Sequence, residues 1–287
     1  MVSELYIDNR SILATYGLRL GENSAASFIE WPSLKKVYYN DWHEEDGIEP
    51  DLSNPALDVH YCNLLFVGTT SADSVDAFIA ALSDGAYHTF AFRGRIFEQT
   101  LRLVKCVSVN RVDNLWLIEL RFSKDYPEEL LLRNPFEPLS PDNRYIIDGV
   151  MASNGGVYIL EGVNNELLRI GDVKENLLQS LDGDNGVKYD SVGVYFRERN
   201  VRIPCLIRAS TIPKLRDNYC GLLSKFILPG AHTFIATDLG CRYSFYYKSC
   251  KVRRAFLDAK PWIELDITIT VFKKPTNITA NELDDIQ

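Results

Sequence analysis

The chain has 287 residues, 46% hydrophobic and 24% charged, with a formal net charge of −8. Those proportions exclude disordered and collagenous polypeptides and leave a folded protein with sequence for one large domain or two of ordinary size. Apolar runs stay short of the about 18–20 residues that cross a bilayer, and MVSELYIDNR lacks the basic-then-apolar order of a secretion signal, so neither membrane nor export is expected.

In chain order, Tyr6-Ile7 and YGLRL (16–20) read as short strands, and a long polar loop follows them. VHYCNLLFVG (59–68) is apolar enough for a buried strand, and VDAFIAALSDG (75–85) has a helical pattern that Ser71 or Asp73 can cap. GAYHTFAF opens at Gly85; TLRLVKCVSVN and WLIEL after it suit half-buried strands. Pro127, Pro135, Pro138 and Pro141 then mark a linker, because each fixes φ and removes a donor.

After the linker the same order runs again. Tyr145-Ile146 and GVYIL (156–160) answer the opening strands, Asp182-Gly183 answers Asp46-Gly47, and VRIPCLIRA (201–209) answers the strand at 59–68. RDNYCGLLSKFILPG (216–230) is a second helix, entered through Thr211 and Pro213, and GAHTFIAT opens at Gly230. Cys106 lies 18 residues after His88, and Cys250 lies 18 after His232; Trp116 and Trp262 follow in turn. The prediction is a mainly β fold with one helix per repeat, as two tandem β-sandwich or partly closed barrel domains. Repeat 1 covers 1–127, the linker 128–141, repeat 2 covers 142–275, and a flexible acidic tail 276–287. His88 and His232, beside Phe90 and Phe234, are expected to share a structural role.

The sequence has no GxSxG, GxxxxGK[ST] or HExxH, and no GxGxxG after a strand. Asp41, Glu44, Glu45, Asp46, Glu49 and Asp51 crowd one loop with His43, where paired carboxylates suit glycoside cleavage or a hard cation. A solvated or interface-forming loop is the reading adopted. DGDNG (182–186) begins like a calcium loop but lacks the distal Glu, and reads as an Asp/Gly turn. The six cysteines sit singly and are expected to be reduced and mostly buried. No catalytic residue, metal or cofactor is expected. The net charge opposes a nucleic-acid surface, KVRR (251–254) being only locally basic.

Residues 1–127 hold 11 Lys and Arg against 18 Asp and Glu, whereas residues 142–275 hold 19 against 15. Similar modules of opposite sign repel their own kind and attract each other, which favours alternation in a closed ring. Asp41, Trp42, Glu44, Glu45 and Asp46 are therefore candidate protomer-interface residues, opposite Arg253 and Arg254 or Arg197, Arg199 and Arg202.

With its early KKVYYNDWHEEDGIEPDLSNP loop (35–55) and later strand-helix-strand block, the chain resembles the tail-tube and distal-tail or hub proteins of long-tailed bacteriophages. The loop looks like that of tail proteins encoded by phages and prophages of gut Bacteroides-type bacteria. The resemblance implies a non-enzymatic component of the virion tail, made in the bacterial host cytoplasm, that forms a ring around the DNA channel. Its implied partners are itself, as a trimer of pseudo-sixfold symmetry or a hexamer, and neighbouring tail proteins, with DNA only as passing cargo. A carbohydrate-binding or adhesin-like double sandwich, with Trp31, Trp42 and Tyr38 as a stacking platform, is the rival reading. A glycan-cleaving enzyme resting on Glu44 or Asp46 comes third.

Overall fold

The computed structural model describes residues 4–21, 23–94, 96–127, 142–175, 178–180, 182–183, 185–189 and 193–278. The predicted linker at 128–141 and residues 279–287 of the predicted tail lie outside the described residues. The fold is mainly β, and each half of the chain is built on one antiparallel sheet.

In the first half the chain runs through β1 (Leu5–Ile7), β2 (Arg10–Ser11), α1 (Ile12–Tyr16), β3 (Arg19–Leu20) and α2 (Ser24–Ile29). An arm carrying β4 (Tyr39–Asn40) and β5 (Glu49–Pro50) follows, then β6 (His60–Gly68), α3 (Ala72–Leu82), β7 (Tyr87–Phe92), β8 (Ile96–Val112) and β9 (Leu115–Lys124). The second half runs β10 (Tyr145–Ile147), β11 (Val150–Met151), β12 (Val157–Ile159) and α4 (Val163–Leu168). Its arm carries β13 (Leu178–Gln179) and β14 (Lys188–Tyr189). It continues as β15 (Arg199–Arg208), α5 (Ile212–Phe226), β16 (His232–Ala236), β17 (Cys241–Phe256) and β18 (Trp262–Val271). Thr276–Asn277, at the start of the predicted tail, pairs with β17 as β19.

The sheet orders are β2-β1-β7-β8-β9-β6-β3 and β11-β10-β16-β17-β18-β15-β12, which are the same order strand for strand. Alternation builds these ladders: Cys62, Leu64 and Phe66 of β6 point inward, as do Val201, Ile203, Cys205 and Ile207 of β15. Each long helix returns the chain across its sheet and starts on a side-chain cap. Ser71 accepts from the amide of Ser74, and Thr211 from that of Lys214 with Pro213 in the first turn. Val75, Phe78 and Leu82 of α3 recur at helical spacing and are buried, with Phe78 4.9 Å from Phe66.

The single-turn helices α1, α2 and α4 add to the one helix per repeat that the sequence predicts. Five or six residues are too few to leave a helical periodicity. α1 is held by its ends: Ser11 accepts from Ala14, and Gly17 closes the turn at φ 70°.

The repeated His-Thr-Phe phrase has a structural counterpart in both sheets. Asp8 and Asp148 sit in the β1–β2 and β10–β11 turns at φ 50° and 49°, each followed by a second positive-φ residue, Asn9 or Gly149. That is the primed two-residue turn that matches strand twist. Thr89 and Thr233 each donate an amide to the aspartate, at 2.8 and 2.7 Å, and the histidine before each donates from Nδ1, at 2.7 and 2.8 Å. His88 also meets Asp84 through Nε2, at 3.1 Å, so both ring nitrogens face carboxylates. Burial opposes its protonation, but Asp8 and Asp84 outweigh burial and hold its pKa above the ordinary histidine range. His232 instead lies against the rings of Phe226 and Phe245.

Both central hairpins outrun the strand beside them. Pairing of β8 with β7 reaches only Arg102, and pairing of β17 with β16 only Phe245. Just beyond, both hairpins have a bulge, between Leu103 and Lys105 and between Tyr247 and Ser249.

Asp148→Ala removes the carboxylate that fixes this turn to β16 and leaves a Cβ at positive φ without compensation. It is expected to lower the unfolding free energy by about 1–3 kcal/mol, with Asp148→Asn intermediate, both measured as shifts in urea midpoint at constant slope.

Candidate functional site

The strongest constellation is the seam where the two halves meet. It starts at the end of α2, where the chain leaves the helix at Glu30 in an extended conformation and lays Trp31 onto the second half. The Trp31 indole is 4.8 Å from Tyr219 of α5, 6.1 Å from Tyr247 of β17 and 6.4 Å from Phe226, ring centre to ring centre. Tyr219 donates its hydroxyl to the Ile29 carbonyl at 2.8 Å, and Tyr247 donates to Pro32 at 2.7 Å. Two buried phenols thus satisfy backbone oxygens of the other half. The hydrophobic core is consequently continuous through both sheets.

Polar groups fix the register of the seam along β17. The Leu34 amide donates to the Lys248 carbonyl at 2.9 Å, and the Val252 amide donates to the Glu30 carboxylate at 3.1 Å. Lys251 approaches the same carboxylate at 3.2 Å. From the first half's own sheet, the buried Lys124 ammonium donates to the carbonyls of Phe28 and Glu30. Burial pulls the Lys124 pKa down to about 8, against the raising effect of Cys62, Glu30 and Cys220. His60, opposite Lys124 in the β6–β9 ladder, is pushed down to about 3 by burial and then by the charges of Lys124 and Lys251.

The two arms form a second contact. Gly47 donates its amide to Phe196 at 2.7 Å, and Phe196 returns one to the Asp46 carboxylate at 2.9 Å. Lys174 is buried in the first half's loop, with its ammonium on the carbonyls of Trp42 and Gly47 and 2.6 Å from Asp41. Gly47 lies at φ 79°, and a Cβ there would stand 1.8 Å from the Phe272 carbonyl oxygen. Only glycine allows this approach.

The predicted interface residues divide accordingly. Asp41 and Asp46 are engaged with Lys174 and Phe196 of the same chain; Trp42, Glu44 and Glu45 are exposed, the Trp42 indole donating to Glu49 at 3.2 Å. Arg253 pairs with Asp266 at 2.7 Å and with Glu264 at 3.6 Å, both on the adjacent β18, and Arg254 is exposed. The structure therefore does not bring the acidic loop and Arg253 together within one chain. Of the aromatic platform considered for a glycan binder, Tyr38 and Trp42 are exposed, whereas Trp31 is enclosed in the seam. Asp182 and Gly183 form an exposed turn. All six cysteines are free; Cys62, Cys205, Cys220 and Cys250 are buried, and Cys106 is exposed. Among the described residues no group of three or more His, Cys, Asp or Glu side chains is placed to hold a metal ion. Among those residues also, no helix is long and apolar enough to cross a membrane.

Sequence reasoning missed Glu30, Lys124, Lys174 and the Asp8 and Asp148 turns. The turns carried a signal, Asp-Asn and Asp-Gly between short strands. The buried lysines carried none, because burial of a charge depends on carbonyls brought from elsewhere in the chain. An apolar cavity of about 380 Å³ lies where the arms meet the second sheet, floored by Leu167, Tyr243 and Val271 and rimmed by Arg169, Arg197 and Lys273.

Trp31→Ala is expected to cost about 3–5 kcal/mol, read from chemical denaturation. Trp31→Phe should cost less, since the indole N–H has no hydrogen-bond partner among the described residues. The depressed pKa of His60 means that the unfolded chain takes up a proton below about 6.5 that the folded chain refuses until about 3. Stability from this group is therefore full above about 6.5 and is lost as pH falls toward 3. His60→Leu should show a shallower loss of urea midpoint than wild type between pH 6.5 and 4 (roughly the interval between the two pKa values).

No family model matches the chain, and no curated protein matches it. Among solved structures, it is similar to one described as the crystal structure of SPP1 Dit (gp 19.1) protein, a paradigm of hub adsorption apparatus in Gram-positive-infecting phages. The match covers 94% of this chain and 98% of that one, at 8% sequence identity and a TM-score of 0.31. A likeness at that score carries no function across to this chain.

Proposed function

We propose that this protein is a non-enzymatic structural component of a phage or prophage tail, which forms a ring around the DNA channel. The supporting observation is that one sheet order occurs twice in the chain, in halves of opposite formal charge that share one continuous hydrophobic core. Two similar modules that attract each other and are already fused side by side are suited to head-to-tail repetition. Three chains would supply six modules in alternating order, the pseudo-sixfold arrangement; six chains with one module each in the ring is the other closed form.

This reading gives the acidic and basic faces a role in association, and it agrees with the sequence resemblance to tail-tube and distal-tail proteins. Neighbouring tail proteins would stack above and below, and DNA would pass without being read. Mass photometry and negative-stain imaging of the purified chain at low ionic strength should show annuli of three or six chains that dissociate as salt is raised. A chain that stays monomeric at every concentration and ionic strength would remove the ring from the proposal.

A further inference from the structure

The seam within the chain uses one of two available hairpin edges, and the unused one is identifiable residue by residue. α2 and α4 end alike, at Glu30 (φ −54°, ψ 139°) and Arg169 (φ −60°, ψ 143°). The chain beyond each then makes the same ladder: Asp58 to Ser33 and Lys35 to Ala56 in the first half, Arg197 to Asp172 and Lys174 to Tyr195 in the second. Isolated bridges fall in step as well, Leu34 with Leu57 and Val173 with Phe196. Ile29 and Trp31 therefore correspond to Leu168 and Ile170. The first pair is enclosed, at 0% and 1% exposure, whereas Leu168 and Ile170 stand out at 61% and 76%.

The receiving surface shows the mirror of this pattern. Cys250 and Val252 lie opposite Ile267 and Leu265, as Cys106 and Val109 lie opposite Leu120 and Ile118. Beneath the Trp31 segment, Cys250 and Val252 are 7% and 3% exposed, and the Trp31 amide donates to the Cys250 sulfur. At the matching place on β8, Cys106 is exposed and Val109 is 41% exposed, with Val104, Val107 and Val112 also open. Beyond Arg102, β8 pairs only with β9 among the described residues, so one row of its backbone groups is unpaired. An apolar plug and an apolar strand edge are thus both bare, while their counterparts, the Trp31 segment of the first half and β17 of the second, are joined at the seam.

We propose that the Leu168–Val173 segment of one copy docks on the β8 edge of a second copy, with Leu168 and Ile170 covering Cys106 and Val109. This deepens the ring-forming reading and rests on it. The plug comes from the basic half and the edge from the acidic half, so charge favours the pairing in this sense. Repetition is heterologous, because each copy offers its plug forward and its edge backward. One type of contact then serves twice per chain, with Trp31 inside the chain and Ile170 between chains.

The native thiol provides the test. Ile170→Cys places a second exposed sulfhydryl where Trp31 stands over Cys250 in the occupied seam. Full-length Ile170→Cys is treated with diamide and, separately, with a short bis-maleimide that tolerates imperfect thiol geometry. Peptide mapping is expected to join residue 170 of one chain to Cys106 of another, giving a ladder of linked chains that Cys106→Ser abolishes. Ile170→Asp, at a site open in the single chain, should keep the wild-type urea midpoint but weaken assembly by roughly tenfold or more, since it would bury a carboxylate against valines. Annuli that form without any 106–170 linkage would overturn this docking and leave the ring intact. A monomer with no linkage between chains would overturn both.

Discussion

Trp31 is a residue of the first half that completes the core of the second, and most of the architecture follows from where it is placed. Tyr219 and Tyr247 close over it and spend their hydroxyls on the carbonyls of Ile29 and Pro32. Two sheets that could each have been an independent domain are thereby made to share one interior. The orientation of the arms, the burial of Lys174 and the fit of Gly47 against Phe272 all presuppose that register.

The seam is not purely apolar, and its polar part is unfavourable in a directed way. A buried ammonium at Lys124 and a carboxylate at Glu30 cost desolvation free energy that well-packed aliphatic groups would avoid. What they supply is position: Lys124 holds the carbonyls of Phe28 and Glu30, and the Glu30 carboxylate accepts from the Val252 amide, so a slip of the segment along β17 would strand that carboxylate. The imidazole of His60 is held neutral beside the Lys124 and Lys251 charges, so it adds nothing to the desolvation cost at neutral pH and takes up a proton only where a rearrangement admits water below about 6.5. Such an arrangement favours a single relative placement of the halves over several loosely packed ones.

Much of the β architecture was readable in the sequence because residues that pack a strand carry a period of two. The His-Thr-Phe phrase and the following cysteine occupy matching places in the two sheets, whereas Trp116 and Trp262 lie one residue out of step, two before Ile118 and three before Leu265. The seam was less readable. Trp31 and Ile170 stand at equivalent places but share no residue type, and the acidic loop at 41–51 drew attention through composition while its buried contact depends on Lys174, over 100 positions away. Short helices of one turn escaped notice because their stability comes from caps and from the sheet beneath.

The uncovered stretch of β8 has a further consequence for the isolated polypeptide. VKCVSVNRV, with its row of open amides and carbonyls, is the type of segment that recruits unrelated strands and seeds insoluble aggregates. Lys105 and Arg111 interrupt the valines, and the bulges at Leu103/Lys105 and Cys106/Ser108 twist the ribbon away from flat stacking. Two cations and two irregularities thus interrupt this edge, where the matching edge of β17 is covered by the Trp31 segment.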